Sequence, residues 1–174
     1  MSEPVSFVVR GLPVAQGNAR AFIAKGKGGA PDRAIYATSA AKGFGGKTSP
    51  LQSWRNSLAA GARETMGTRS LLDGPLCVRV VFVFPRPASH YLPANSKRPV
   101  RHLRGDAPVY HASKPDVDKL QRALLDALKL VVWHDDSQVA DVRARKVYEL
   151  SRVEGLSGEW DWQPGAVVEV DGAR

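Results

Sequence analysis

Runs of apolar and β-branched residues along the chain predict four main strands. The most apolar run is Leu76–Phe84, which contains four valines, and we predict that it forms a central strand covered on both faces. Shorter runs predict three further strands, at 5–10, Val139–Leu150 and Ala166–Val170. The alternation after residue 139 predicts two faces, an apolar one with Ala140, Val142 and Ala144 and a charged one with Asp141, Arg143 and Arg145.

Two stretches have the spacing of amphipathic helices. The first begins at Thr48-Ser49-Pro50, where a hydroxyl cap and a first-turn proline favour a helix start, and Gly67 marks its end. Its apolar positions are Leu51, Trp54, Leu58 and Ala62. The second runs from Lys119 to about Lys129, and its apolar stripe comprises Leu120, Ala123, Leu124, Ala127, Leu128 and Val131.

Two long segments interrupt these elements. Residues 17–48 are rich in glycine and lysine, and predict either a mobile loop or two short strands around Ala34–Ala37. Residues 85–113 contain five prolines and an excess of basic residues, which is typical of a flexible functional loop. The whole order, β, loop, α, β, loop, α, β, β, predicts one α/β or α+β domain spanning 1–174, with a small mixed sheet packed by two main helices.

The charge balance favours a polyanionic partner. Lys and Arg number 25 against 17 Asp and Glu, which gives a net charge of +8 and a pI near 9.9. The chain lacks an apolar run long enough to span a membrane, a secretory signal and a second cysteine to pair with Cys77. We therefore expect a cytoplasmic protein that contacts nucleic acid and no membrane.

A cluster of acids stands out against this basic background, because residues 116–141 carry six aspartates. Pro115 biases Lys114 towards an extended conformation. If the chain stays extended, Asp116 and Asp118 point to one face about 6.6 Å apart and can converge on one hard cation. The alternative is that Asp118 only caps the second helix and Asp116 is a solvated turn residue.

Asp135 and Asp136 are the candidates for a third carboxylate. The second helix carries the chain about 15 Å away from Asp118. Either the following segment doubles back beside its own helix, or a second subunit supplies the third acid. The plain alternative is a polar turn between helix and strand.

Three carboxylates without a cysteine pair suit Mg²⁺ or Mn²⁺, and such an ion beside a basic surface suggests phosphodiester chemistry. Arg122 lies four residues after Asp118 on the same helical face. It either offsets charge on the reacting phosphate or forms an ordinary ion pair with Asp118. Of the four histidines, His111 and His134 are those within possible reach of the site.

Three motifs together resemble the RusA family of Holliday junction resolvases, which are phage- and prophage-type endodeoxyribonucleases. They are Lys114-Pro115-Asp116-Val117-Asp118-Lys119-Leu120, Leu125-Asp126-Ala127-Leu128 and Asp135-Asp136-Ser137-Gln138-Val139. The closest similarity runs from His111 to Lys146. Gly11-Leu12-Pro13 and the Trp54-Arg55 helix also look like members of this family.

The resemblance implies a homodimeric α/β fold and Mg²⁺-dependent cleavage of four-way junctions by paired nicks in strands of like polarity. The family's essential acids correspond to Asp116, Asp118 and Asp136, with Asp135 as a secondary neighbour. The family's catalytic lysine corresponds to Arg122, which keeps the charge but presents a planar fork. Lys119 replaces an asparagine that is common at its position.

The expected DNA contacts are basic residues that bind phosphates without reading sequence, Lys97, Arg98, Arg101, Arg104, Lys114 and Lys119. The principal alternative function is a non-catalytic junction or DNA binder, whose acids merely cap helices and turns. An RNA-binding role is disfavoured because the sequence lacks an aromatic RNP-like strand.

Overall fold

The computed structural model describes residues 3–17, 20–24, 33–37, 48–93, 102–149 and 163–173. Over these residues the chain forms six strands and two α-helices. In chain order they are β1 (Val5–Arg10), β2 (Arg20–Ala24), β3 (Arg33–Ala37), α1 (Pro50–Met66), β4 (Leu76–Phe84), α2 (Val117–Leu128), β5 (Val139–Tyr148) and β6 (Gly165–Gly172). Short 3₁₀ turns occupy Ala88–His90 and Asp136–Gln138.

The four long strands form one mixed sheet in the order β1-β6-β4-β5. β4 pairs in parallel with β5 and antiparallel with β6, so it is central, and all but one of its residues are buried. The predicted mixed sheet with two helices is therefore confirmed, as is the central position of Leu76–Phe84.

In the glycine-rich segment, β2 and β3 pair antiparallel as a separate hairpin. Of the two sequence predictions for this segment, the one with two short strands is therefore confirmed. The rest of the predicted 17–48 loop lies largely outside the described residues. The predicted 85–113 loop is largely irregular where it is described, with isolated bridges that join Tyr91 to Leu103 and Tyr110 to Val147.

Both helices pack on one face of the sheet. Ser49 caps α1 by accepting a 3.2 Å hydrogen bond from the amide of Gln52, and Gly67 ends the helix at a φ of +53°. Trp54 and Leu58 of α1 lie in the same core as Leu120 and Leu124 of α2. This packing fixes α2 against the sheet and so places the acids that flank it.

The sequence pattern misplaced two residues. A β-bulge pairs Leu76 with Val139 but Cys77 with Asp141, so Ala140 is the extra residue and is exposed. The prediction that Ala140 lies on the apolar face is therefore wrong, and Val139 packs against the core instead. Similarly, α2 ends at Leu128, so Val131 contacts the core from the following turn rather than from the helix.

None of the described helices has the length and apolar character needed to cross a bilayer.

Candidate active site

Asp116 and Asp118 lie at the N-terminus of α2. Asp116 occupies the N-cap position with an extended backbone, and its side chain makes no capping bond. Asp118 lies in the first helical turn. The chain is therefore extended at Asp116 but helical at Asp118, and the predicted extended stretch through both aspartates does not form. Both side chains are exposed at the positive end of the helix dipole, a position that suits negative charge and can attract a bound cation to the carboxylates.

Three lysines surround Asp116. The Nζ of Lys119 lies 2.6 Å from the Oδ2 of Asp116, and Lys114 and Lys146 add longer-range attraction. Lys119 above all, by hydrogen bond and by charge, holds the pKa of Asp116 below its ordinary value. The carboxylate is therefore ionised at neutral pH and able to ligate a cation.

Lys146 holds the segment that carries these acids. It lies on β5 opposite Phe82, and its Nζ donates to the backbone oxygens of Ser113 and Pro115 at 2.7 Å each. Its own backbone oxygen accepts from the amide of His111. The sequence analysis missed this role, although a lysine in register with Val142 and Ala144 on the core face of a strand was a signal.

His111 packs beneath the same segment rather than projecting into the acid group. Its ring stacks on Phe84 with 4.2 Å between centroids, and its Nε2 lies 3.2 Å from the Oγ of Ser113. Burial, with a smaller contribution from Lys146, lowers the pKa of His111, so the ring is neutral at pH 7. The other candidate is His134, whose Nε2 lies 3.5 Å from the Oδ1 of Asp73.

Asp135 is engaged in local structure. Its side chain accepts from the amide of Ser137 and its backbone amide donates to the side chain of Gln138, forming a capping box on the 3₁₀ turn. The Nζ of Lys129 lies 2.5 Å from the Asp135 carboxylate, and this contact is the main reason that the pKa of Asp135 is far below its ordinary value. The polar turn that was the alternative prediction is therefore present at Asp135.

Asp136 is anchored by the core. Its Oδ1 accepts a 2.9 Å hydrogen bond from the indole of Trp133, which is fully buried. Because Trp133 cannot move without disturbing the core, the position of Asp136 is set by packing rather than by solvent.

The two acid groups lie at opposite ends of α2. Trp133 follows the tight turn in which the amide of Val132 donates to Leu128, so Asp136 lies near the C-terminus of the helix. The twelve-residue helix is about 18 Å long. Within the described residues of one chain, no three His, Cys, Asp or Glu side chains are grouped so as to hold a metal ion. The described acids of one chain are therefore not gathered into one group, which leaves open both the second-subunit alternative and the polar-turn alternative.

Arg122 is exposed one turn after Asp118. Over the part of the chain that is described, no carboxylate lies within ion-pair distance of it, so the predicted alternative of an Asp118–Arg122 pair does not form. Its guanidinium remains directed to solvent on the side of α2 that carries Asp118.

The predicted phosphate-binding residues fall into two groups. Lys97, Arg98 and Arg101 lie outside the described residues. Lys114 is exposed, whereas Lys119 pairs with Asp116 and Arg104 forms a two-pronged pair with Asp106 at 2.9 and 2.8 Å. The Arg104–Asp106 pair reduces the charge that Arg104 offers to a phosphate.

A basic α+β domain with paired, lysine-flanked aspartates at a helix N-terminus has the donor set and charge of a nuclease. The profile of the family Endodeoxyribonuclease RusA matches residues 11–154, and the chain belongs to this family. It is also 30% identical over 156 residues to a protein of Bacillus subtilis (strain 168) named "Uncharacterized protein YqaN", an alignment that covers 89% of this chain and 96% of that protein. The family resemblance seen in the three sequence motifs is thus confirmed.

Proposed function

We propose that this protein resolves four-way DNA junctions as a divalent-metal-dependent endonuclease. The observation that carries the proposal is the exposed pair Asp116 and Asp118 at the N-terminus of α2, in a chain that belongs to an endodeoxyribonuclease family. Carboxylate oxygens at a positive helix end are hard donors that suit Mg²⁺, with Mn²⁺ as a substitute.

Asp116, Asp118 and Asp136 are the proposed ligands and catalytic acids, and Asp135 is a secondary acid. Bound there, Mg²⁺ would polarise the scissile phosphate and lower the pKa of an attacking water. Asp116 accepts the cation in its ionised form, which the neighbouring lysines already favour. A bound cation would compete with Lys119 for the carboxylate of Asp116, and this competition is weak because an exposed ion pair contributes little to stability.

The remaining basic groups hold and orient the DNA. Arg122 faces solvent beside Asp118 and is the proposed group that offsets charge developing on the phosphate. Lys114 and Lys119 flank the acids and are proposed phosphate contacts, with Arg104 farther along the chain. The net charge of +8 supports binding that weakens steeply as salt rises.

A homodimer accounts for paired cuts. A four-way junction has approximate two-fold symmetry, and a C₂ dimer presents two identical sites to it. We therefore propose that the active species is a dimer and that it nicks two strands of like polarity.

The direct test is cleavage of a synthetic four-way junction by the purified protein, with Mg²⁺ and with EDTA. We expect paired, symmetric nicks only with the metal. The second candidate, a non-catalytic junction binder, is favoured by the arginine at position 122 and by the engagement of Asp135 in a capping box. It predicts salt-sensitive binding and no metal-dependent product.

Replacing Lys146 with methionine should slow cleavage about 10–100-fold at saturating Mg²⁺, because the carbonyls of Ser113 and Pro115 lose the donor that fixes the acid-bearing segment. Junction affinity should change far less than the cleavage rate, which separates positioning from binding. Single-turnover assays and gel-shift titrations measure the two quantities. Arg69→Met, which removes an exposed positive charge elsewhere, is the control. Equal single-turnover rates for Lys146→Met and the control would contradict this role.

Replacing Arg122 with alanine should reduce the cleavage rate about 100-fold, because a positive charge near the phosphate is lost. Arg122→Lys should stay within a few-fold of the natural protein, since it keeps the charge at the same helical position. The measurement is the single-turnover rate for both variants at matched junction occupancy. Unchanged cleavage by Arg122→Ala would remove Arg122 from the site.

A further inference from the structure

We propose that Arg55 is a positioning residue for the nuclease site, because it connects the segment after β1 to α2 beside Asp116 and Asp118. This inference rests on the proposed function for its catalytic meaning, whereas the coupling itself can be measured without DNA. It gives a role to three sequence motifs that the proposed function leaves unused, Gly11-Leu12-Pro13, Trp54-Arg55 and Leu125-Asp126-Ala127-Leu128.

The guanidinium of Arg55 joins three parts of the chain. Arg55 lies in α1, and its Nη2 donates to the Oε1 of Gln16, in the segment after β1, and to the Oδ2 of Asp126, in α2. These two partners are 39 and 71 residues away along the sequence. The side chains of Arg55 and Asp126 are 21% and 37% exposed, so solvent reaches this ion pair only in part.

Gln16 extends the contact to the first turn of α2. Its backbone amide donates to the carbonyl of Lys119 at 3.1 Å. Lys119 is also the residue whose Nζ lies 2.6 Å from the Oδ2 of Asp116. The contacts therefore run from Asp126, in the C-terminal half of α2, through Arg55 and Gln16 to the end of the helix that carries the acids.

The segment that contains Gln16 is itself packed on the core. The chain leaves β1 at Gly11, where an added Cβ would lie 3.9 Å from the ring of Trp54. Val14 and Ala15 then pack against the core that includes Trp54. This packing brings the backbone of Gln16 to α2, and Arg55 fixes the side chain that follows from it.

Arg55 is poorly placed to bind a DNA phosphate directly. Its charge is paired with Asp126, and its Nε is buried with no acceptor among the described residues. We therefore infer that it acts on the reaction through the position of α2 and Gln16. Such an effect can be large, because a misplacement of about 1 Å near reacting groups can slow a reaction roughly 100-fold.

Replacing Arg55 with methionine should slow single-turnover cleavage of a four-way junction about 10-fold at saturating junction and Mg²⁺, while the gel-shift affinity changes by less than about two-fold. Methionine keeps an apolar stem but makes neither contact. Arg55→Lys should stay within about three-fold of the natural rate, because one lysine nitrogen can donate to both oxygens. Arg63→Met removes an exposed charge from the same helix and should cleave at the natural rate.

Two results would overturn the positioning role. If Arg55→Met binds more weakly, with a smaller dependence on salt, but cleaves at the natural rate once saturated, Arg55 is a phosphate contact instead. If Arg55→Met unfolds at a lower urea concentration but the folded protein keeps the natural rate and affinity, the contacts of Arg55 serve stability alone.

A double substitution tests whether Gln16 transmits the effect. Gln16→Ala should also slow cleavage, and adding it to Arg55→Met should cause little further loss, because the contact between the two side chains is already broken. Losses that multiply would show that the two residues act separately, and would contradict a route through Gln16.

Hydrogen exchange at the backbone amide of Gln16 measures the coupling without DNA. In Arg55→Met this amide should exchange at least about 10-fold faster than in the natural protein, because its hydrogen bond to Lys119 is less firmly held. The amide of Val80, in the central strand β4, is the reference that corrects for any general loss of stability.

This measurement separates the two proposals. Faster exchange at Gln16 in a protein that cuts no junction would support the coupling and remove only the nuclease proposal. An unchanged exchange rate at Gln16, relative to Val80, would overturn the inference whatever the cleavage assay shows.

Discussion

Asp116→Asn is expected to abolish metal-dependent junction cleavage, with a rate loss of about 1,000-fold, while the junction is still bound. Asparagine keeps the size of the side chain but lacks the negative charge that a divalent ion requires. It also frees Lys119 from its 2.6 Å contact, so binding of DNA phosphates should not weaken. The measurement pairs single-turnover cleavage with gel-shift affinity on the same junction.

Asp73→Asn is the matched control for that substitution, because Asp73 is an exposed aspartate whose ion-pair contact is with His134 rather than with the acid group. It should cleave at the natural rate. If Asp116→Asn also cuts as fast as the natural protein, Asp116 is not a metal ligand and the proposed site is wrong.

Gly165→Ala is expected to cause the largest loss of stability among single substitutions considered, about 3 kcal/mol or more in the free energy of unfolding. A Cβ at Gly165 would lie 2.0 Å from the backbone oxygen of Val9, and the residue has a φ of +158°. Because Gly165 pairs with Arg10 at the end of the β1–β6 ladder, the two strands must separate to make room.

Gly172→Ala provides the comparison within the same strand. A Cβ there meets no atom within 4 Å, so unfolding by urea or heat should be nearly unchanged. The contrast between these two variants isolates the close approach of β1 from the general effect of replacing glycine in a strand. Similar unfolding midpoints for both would show that β1 does not pack against Gly165 as described.

Much of the fold could be predicted because its signals are local. Ser49, Pro50 and Gly67 define the ends of α1 through capping chemistry that depends on a few neighbouring residues. The apolar run of β4 predicts a strand buried on both faces because periodicity alone reports burial. Neither inference needs knowledge of distant contacts.

The errors and omissions involve contacts between elements. The bulge that exposes Ala140 arises from the way in which β5 pairs with β4, and nothing within residues 139–150 specifies it. The hold of Lys146 on Ser113 and Pro115 depends on β5 running back beside α2. The anchoring of Asp136 by Trp133 similarly requires the core to be assembled.

The acid-rich segment shows the same division. The sequence identified the aspartates correctly as an unusual concentration of charge and suggested that a cation must relieve their repulsion. In the structure, lysines already provide part of that relief, because Lys119 pairs with Asp116 and Lys129 pairs with Asp135. Low carboxylate pKa values therefore arise from these lysines, and the proposed metal ion has to compete with Lys119 at Asp116.

The most direct measurement of the central claim is a crystal structure of the protein grown with Mn²⁺, with the ion located from its anomalous scattering. The account predicts a peak at the N-terminus of α2, ligated by Asp116 and Asp118, with Asp136 as the proposed third ligand. A structure in which Mn²⁺ is absent from this position at saturating concentration, and in which the three carboxylates stay far apart in the assembled protein, would contradict it.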